Sequence, residues 1–277
     1  METKKHKAFA GFLRRYSLSA AGYPLPLLTS VLLILSYPRF NQGWLAWFAL
    51  APLAWYLLNC KTLKSALAGG FGAGFVFYLG ILYWIYPTMR AGGVEPAVSA
   101  LGLVLLAALM SFEFALASGF GFHMKKAGHA AFPYVFASGW ALMEWAKVMV
   151  NLQGVWFPWF TLAYTQWRYT ALIQVVSVTG LYGLSWAVCF TGALIGTAIY
   201  KREKALKTAL ALAPAALIIG GLWFYGKSAL AAAVPGGTTL KAALLQPSID
   251  QYAKWDPRYA AEIEAKIEGL VRIAGEG

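Results

Sequence analysis

The sequence predicts an α-helical polytopic membrane protein of about seven spans, followed by the opening βα unit of an α/β domain. Of its 277 residues, 60% are hydrophobic and only 12% are charged, whereas a soluble domain carries about a quarter charged residues. An aromatic content of 16% also argues against a disordered chain. The net charge of +12 lies entirely within residues 1–226, among the hydrophobic runs. This distribution indicates membrane topology and argues against nucleic-acid binding.

Long uncharged runs define the predicted spans, because a helix of about 20 apolar residues crosses a bilayer. Five glycines in the third run approach the small-residue spacing that lets membrane helices pack closely. The first run is short, and its two prolines and missing cleavage site favour a retained helix over a signal peptide. The seven runs are Tyr23–Tyr37, Gly43–Leu58, Ser65–Tyr86, Ala97–Phe122, Phe132–Val150, Ala171–Tyr200 and Ala205–Tyr225.

The basic residues predict the orientation of these spans. With the N-terminus in the cytoplasm, the cytoplasmic segments hold thirteen Lys and Arg residues and the opposite segments hold four. Because cytoplasmic loops are enriched in Lys and Arg, this arrangement is favoured over its reverse. After seven spans, everything beyond about residue 227 then lies outside the cytoplasm.

Three ionisable residues fall inside the predicted spans. A charged side chain is energetically costly within a bilayer, so an ionisable residue there is expected to have a function. Glu144 and Lys147 are three residues apart on one helix, so they either pair with each other or line a polar cavity for a lipid headgroup. Glu113 needs a partner on a neighbouring helix, or is protonated. Cys60 and Cys189 lie in or beside apolar runs, and no His, Cys or carboxylate cluster has metal-ligand spacing, so neither a metal site nor a cofactor is predicted.

An aromatic segment, residues 151–170, connects the fifth and sixth runs on the predicted outer side. It is rich in Trp, Phe, Tyr and Gln and poor in charge. Such a composition suits contact with lipid at the membrane interface. A packed connecting loop explains the same composition equally well, and the sequence leaves both interpretations open.

The C-terminal part is predicted to begin a second domain. Residues 227–238 form a linker with a Pro-Gly-Gly stretch, and the apolar run 239–246 predicts a buried strand. Asp256 and Pro257 then suit the start of an amphipathic helix. One strand and one helix cannot bury a core, so residues 239–277 are expected to be the incomplete start of an α/β domain in a truncated chain.

Several motifs follow one another along the chain. They are Ser36-Tyr37-Pro38-Arg39-Phe40, Trp44–Leu53, Glu144-Trp145, Phe157-Pro158-Trp159, Tyr164, Gln166, Gln174, Gly180–Ser185, Leu245–Gln251 and Lys254–Pro257. In this order the motifs resemble those of bacterial apolipoprotein N-acyltransferases, which combine membrane spans with a carbon-nitrogen hydrolase (nitrilase-like) domain. The resemblance covers essentially the whole chain.

The resemblance implies a cytoplasmic-membrane enzyme that works on the outer leaflet, with residues 239–277 in the periplasm. It implies acyl transfer from a phospholipid to the diacylglyceryl-cysteine of an apolipoprotein through an acyl thioester. The family's Glu-Lys-Cys triad has no counterpart in residues 1–277, so it is expected beyond residue 277, and this chain alone is expected to be inactive. A transporter or channel fragment, or a different nitrilase-like outer domain, are the alternatives.

Four residues are predicted to contact substrate: Trp159, Tyr164 and Gln166 of the aromatic segment, and Trp255, which matches a family position near the active site. The resemblance and the shared outer location suggest that Phe157-Pro158-Trp159, Tyr164 and Gln166 lie beside Trp255. Together they would line the place where a lipid leaves the bilayer, with apolar walls for the acyl chain. A purely structural role for Trp255 explains its position equally well.

Overall fold

The computed structural model describes residues 24–154, 158–232 and 241–275. Residues 24–90 and 94–232 belong to one helical unit, and residues 241–275 belong to a second unit. The described residues contain helices and irregular segments but no strand. A polytopic helical membrane protein, the class expected from the composition, fits this structure.

In the first unit the described residues form ten α-helices, joined by turns and short 3-10 segments. The first 3-10 segment, Gly43–Leu45, precedes α2. The helices are α1 Pro24–Ser36, α2 Ala46–Ala49, α3 Ala51–Asn59, α4 Leu63–Ile81, α5 Ile85–Ala91, α6 Pro96–Met124, α7 Phe132–Asn151, α8 Thr170–Ile173, α9 Val176–Lys201 and α10 Ala205–Ala232.

Four helical stretches in the described residues are long and apolar enough to cross a membrane: Leu63–Ile81, Pro96–Ala127, Val176–Lys201 and Ala205–Ala232. The other three predicted spans differ from these. The first is short, at 13 residues, and the fifth forms the 20-residue helix α7 but is less apolar, because it contains polar and charged residues such as Glu144 and Lys147. The second is broken into a 3-10 turn, α2 and α3, because Pro52 in the first turn of α3 has no N–H for a continuous helix. The structure therefore supports a helical membrane domain without showing seven spans.

The helices pack around a core in which α4 runs along α6 over its length. Gly70 and Gly74 of α4 face the backbone and side chains of Ser111, Phe114 and Ser118 on α6, so a larger residue there would collide with them. This is the close approach that small residues permit between membrane helices. Helix α9 packs against α7 and α3, whereas α10 is largely exposed.

The second unit differs from its prediction in one element. Residues 241–246 form no strand, and Leu244 is fully exposed; residues 239 and 240 lie outside the described residues. A strand needs hydrogen-bonding partners on a neighbouring strand, and no described segment supplies them. The amphipathic helix is confirmed as α11, Ala260–Gly275. Asp256 caps a 3-10 turn before it by accepting a hydrogen bond from the Arg258 N–H at 3.0 Å.

Candidate functional site

A segment without an α-helix enters the first unit between α7 and α8, and its residues Leu162–Gln166 form a 3-10 helix. We call residues 158–167 the inserted segment. Its residues Leu162, Ala163 and Gln166 are buried, whereas several of its aromatic side chains are exposed. Trp159 and Tyr164 are each about 40% exposed. Non-helical backbone within a membrane domain is tolerated only where protein groups satisfy its N–H and C=O groups. The partners of this backbone therefore decide how the segment is held.

Two side chains hold the carbonyl groups at the start of the inserted segment. The Lys147 ammonium on α7 donates to the Trp159 carbonyl at 3.3 Å. The Tyr37 hydroxyl, just after α1, donates to the Phe160 carbonyl at 2.7 Å and lies 3.0 Å from the Thr161 carbonyl. Three consecutive carbonyl groups are thus bound by side chains from two different parts of the bundle.

Two further side chains hold the N–H groups that follow. The Leu162 N–H donates to Glu144 Oε1 at 2.9 Å, and the Ala163 N–H donates to the Ser185 hydroxyl at 3.0 Å. Glu144 Oε1 also accepts from the Trp140 indole at 3.0 Å. Side chains from α7, from α9 and from the residue after α1 therefore bind five backbone groups, one in each of five consecutive residues.

Phe160 adopts a strained backbone conformation at the centre of this arrangement. Its φ of 64° lies in the left-handed region, which a bulky side chain rarely adopts. Such a residue costs about 1–3 kcal/mol and persists only where the surroundings fix it. The Phe160 ring packs edge-on against Tyr37, Phe77 and Tyr78, with ring centroids 6.0–6.5 Å apart.

The buried charges pair between helices, which corrects one interpretation of the sequence. Lys147 forms its ion pair with Glu113 on α6, with an N–O distance of 3.0 Å, and both side chains are only 6% exposed. The Tyr78 hydroxyl donates to the same Glu113 oxygen at 2.6 Å. Of the two alternatives for Glu144 and Lys147, a direct ion pair is not formed, because Glu144 bonds to Trp140 and the inserted segment. For Glu113, the structure shows the partner on a neighbouring helix that was one of its possible explanations.

A small enclosed cavity lies among these groups. Its volume is about 10 Å³, and its lining includes Tyr37, Glu113, Glu144 and Lys147. This is room for about one water molecule and is far too small for a lipid headgroup. The charged cluster in this structure therefore supports the backbone of the inserted segment and does not form a headgroup cavity.

The predicted contact residues of the inserted segment differ in their surroundings. Trp159 is partly exposed and lies against Trp84, with ring centroids 5.9 Å apart. Gln166 is completely buried, and its amide nitrogen donates to the Gly43 carbonyl at 2.8 Å. The amide oxygen of Gln166 accepts from the Trp47 indole at 3.0 Å. The structure thus leaves Trp159 and Tyr164 partly exposed and uses Gln166 to attach the segment to the bundle.

The remaining predicted contact residues belong to the second unit or lie outside the described residues. Trp255 belongs to the second unit, where it is 77% exposed. Phe157 lies outside the described residues. Cys60 and Cys189 are buried, free thiols in the first unit. In the described part of the chain, no three His, Cys, Asp or Glu side chains come together as metal ligands do.

The side chains that bond to the backbone of the inserted segment are called its holding residues, and two of them were not singled out as site residues from the sequence. Tyr37 and Ser185 each stand at a place in a motif that carries the family resemblance, within Ser36–Phe40 and Gly180–Ser185. Position within a motif was therefore the available signal. Nothing in residue type or spacing could show that these hydroxyl groups bind the backbone of a segment more than 20 positions away.

Fold and site together define a polytopic helical membrane protein whose bundle holds an irregular, aromatic segment at one end. The model of the apolipoprotein N-acyltransferase N-terminal domain matches residues 29–194, a range that includes every holding residue. The chain belongs to the apolipoprotein N-acyltransferase family.

Curated relatives extend the similarity into the second unit. The chain is 34% identical over 260 residues to an apolipoprotein N-acyltransferase of Geobacter metallireducens, covering 91% of this chain and 48% of that protein. It is 26% identical over 242 residues to the one of Nitrosomonas europaea, covering 86% and 42%. With the one of Chlorobaculum tepidum the identity is 25% over 269 residues, covering 95% and 48%. The chain spans about half the length of these curated relatives.

Proposed function

We propose that the gene product containing this sequence is an apolipoprotein N-acyltransferase of the bacterial cytoplasmic membrane. It transfers an acyl chain from a phospholipid to the α-amine of an apolipoprotein's diacylglyceryl-cysteine. Membership of the family, supported by 34% identity over 260 residues that reach into both units, is the observation that carries this proposal.

The reaction divides into two steps on a cysteine thiolate. The thiolate attacks the ester carbonyl of the phospholipid, releasing a lysophospholipid and leaving an acyl thioester. The lipoprotein amine then attacks the thioester, forms the amide and releases the thiol. We assign no group of residues 1–277 to these steps, because Cys60 and Cys189 are buried in the first unit. Burial also raises the pKa of the Cys60 thiol, which disfavours the reactive thiolate.

The first unit supplies the membrane domain of this enzyme in our proposal. Seven spans with a cytoplasmic N-terminus place residues 241–275 outside, on the basis of the thirteen-to-four distribution of Lys and Arg. The same orientation turns the inserted segment towards the outer leaflet. The acyl donor would then be taken from the leaflet that faces the lipoprotein substrate.

The inserted segment is the proposed lipid-contacting surface of the membrane domain. Trp159 and Tyr164 combine exposed aromatic rings with polar atoms, which suits the level of the phospholipid headgroups. Gln166 acts indirectly by fixing the segment to Gly43 and Trp47. Trp255 is included on the family resemblance, and its large exposure leaves it available for contact with substrate.

An acyl-transfer assay tests the proposal. The purified gene product is mixed with phospholipid and a synthetic diacylglyceryl-cysteine peptide, and N-acylated peptide is measured by mass spectrometry. We expect transfer by the gene product and none by residues 1–277 alone. Trp159→Ala and Trp255→Ala should each lower the rate, whereas Trp223→Ala, on the exposed face of α10, should not.

The outcomes of this assay also separate the alternatives. A gene product that folds but transfers no acyl chain would contradict the proposal and favour a different outer domain. The described buried charges give no support to a transporter. Glu113 and Lys147 form an ion pair between two helices, and Lys147 and Glu144 also bond to the backbone of the inserted segment. Equal rates for the Trp159 and Trp223 variants would remove the lipid-contacting surface but leave the family activity standing.

A further inference from the structure

An arginine with free donors stands at the same end of the bundle as the inserted segment. Arg39 follows α1, and its guanidinium carbon lies 3.8 Å from the centre of the Tyr83 ring. The Phe40 ring is 5.6 Å away. A guanidinium stacked on an aromatic face is held in a defined plane while its edge remains open.

Among the described residues, nothing engages the hydrogen-bond donors of Arg39. In the described parts of the chain the ion pairs are Lys147–Glu113 and Arg258–Asp256, and neither involves Arg39. Its exposed guanidinium also donates no hydrogen bond to a described residue. Arg90 differs in this respect, because its guanidinium donates to the Val94 carbonyl of its own loop. The five N–H groups of the Arg39 guanidinium therefore have no acceptor within the described ranges of the chain.

Aromatic side chains surround this charge at the rim of the bundle. Tyr83 is followed in the chain by Trp84, whose ring packs on Trp159 of the inserted segment at 5.9 Å and an angle of 37°. Phe40 and Tyr83 are each more than 40% exposed. Amphipathic aromatic residues such as Tyr83 and Trp84 prefer the headgroup level of a bilayer, so we expect the Arg39 guanidinium at the depth of the phosphate groups.

We propose that Arg39, held flat on Tyr83, binds the phosphate of a phospholipid whose acyl chains run beside Trp84 and Trp159. The planar fork of a guanidinium matches two phosphate oxygens, and such charge-assisted pairs are about twice as strong as neutral hydrogen bonds. The assignment rests on the proposed function, which makes the bound phospholipid an acyl donor.

Lipid binding to the full chain, residues 1–277 in detergent micelles, tests this site. The probe is a short-chain phosphatidylethanolamine, whose zero net charge removes general electrostatic attraction, and binding is followed by native mass spectrometry. A diacylglycerol with the same acyl chains lacks the whole phosphoethanolamine headgroup and controls for binding of the acyl chains, and inorganic phosphate serves as a competitor. The variants are Arg39→Gln, Arg39→Lys and, as a matched exposed arginine near a Trp ring, Arg168→Gln.

We expect Arg39→Gln to weaken phosphatidylethanolamine binding about tenfold or more, as the loss of charged hydrogen bonds implies. Arg39→Lys should also weaken it, because an ammonium keeps the charge but loses the planar fork. Diacylglycerol binding should be unchanged in both variants, and Arg168→Gln should behave as the parent chain.

Three results would overturn the site. Arg39→Gln could bind the phospholipid as well as the parent, Arg168→Gln could weaken binding equally, or millimolar inorganic phosphate could displace the lipid and so identify a free-phosphate site. Acyl transfer by the gene product is a separate measurement. If phospholipid binding depends on Arg39 but the gene product transfers no acyl chain, only the proposed function is contradicted. If the gene product transfers an acyl chain but phospholipid binding does not depend on Arg39, only this inference is contradicted.

Discussion

Replacing Lys147 by Met tests how the inserted segment is held. The substitution keeps the length and apolar stem of the side chain but removes the ammonium that pairs with Glu113 and donates to the Trp159 carbonyl. Glu113 then remains buried in α6 with the Tyr78 hydroxyl as its hydrogen-bond donor from the described network. A buried carboxylate that has lost its counter-charge is strongly unfavourable, above all in a membrane domain.

The magnitude follows from the burial of the pair. Both side chains are 6% exposed, so removing one partner should lower the free energy of unfolding by about 3–5 kcal/mol. The double variant Lys147→Met/Glu113→Gln leaves no unpaired charge, and its amide oxygen can still accept from Tyr78. Its cost should fall to about 1 kcal/mol, for the lost bond to the Trp159 carbonyl.

Unfolding of the full chain in mixed detergent micelles, followed by far-UV circular dichroism, measures these differences. Lys204→Met, at an exposed position before α10, is the control and should change stability by less than about 0.5 kcal/mol. A coupling free energy near zero between the Lys147 and Glu113 substitutions would refute the reasoning. So would a double variant that is as unstable as the single Lys147→Met variant.

Three further predictions concern packing, the inserted segment and the second unit. Gly70→Ala should destabilise the chain by about 1–3 kcal/mol, because the added methyl group would collide with α6. Gly72 faces open space, so Gly72→Ala should stabilise the chain slightly. Equal unfolding midpoints for the two variants would contradict this prediction. Tyr37→Phe should cost about 1–3 kcal/mol, because the part-buried Phe160 carbonyl loses its donor while the Thr161 carbonyl keeps the Tyr164 N–H, and amide exchange in the inserted segment should accelerate. Hydrogen bonds from Arg258 hold the pKa of the Asp256 carboxyl group below its usual range. The cap that Asp256 forms on the 3-10 turn should therefore persist above the usual aspartate pKa and be lost as pH falls through the lowered value. A carboxyl NMR titration of Asp256 that is unchanged by Arg258→Gln would contradict this prediction.

Composition and periodicity were enough to predict the helical membrane class, but the continuity of the helices was not predictable in the same way. The run Gly43–Leu58 is uniformly apolar, yet it forms a 3-10 turn and two helices. Hydropathy averages over a window and does not register one proline or one turn. The strand expected at residues 239–246 shows a related limit, because a strand depends on hydrogen bonds from neighbours that a local pattern cannot reveal.

The site was partly predictable for the same physical reason. Buried charges in an apolar run signal a polar network, and Glu113, Glu144 and Lys147 all belong to one. Helical spacing suggested the pair Glu144–Lys147, but the nearest opposite charge in space lies on another helix. The role of Gln166 was also hidden, since only the folded bundle shows that its amide is enclosed by Trp47 and Gly43.

The central claim is that the inserted segment is buried on one side and presents its aromatic side to the outer surface of the membrane. Cysteine labelling in intact spheroplasts tests it directly, after Cys60 and Cys189 are replaced by Ala. Tyr164→Cys, at an exposed position, should react with a membrane-impermeant maleimide without lysis, whereas Thr165→Cys, at a position only 2% exposed, should not react. Labelling of Tyr164→Cys only after lysis, or equal labelling at both positions, would contradict the account.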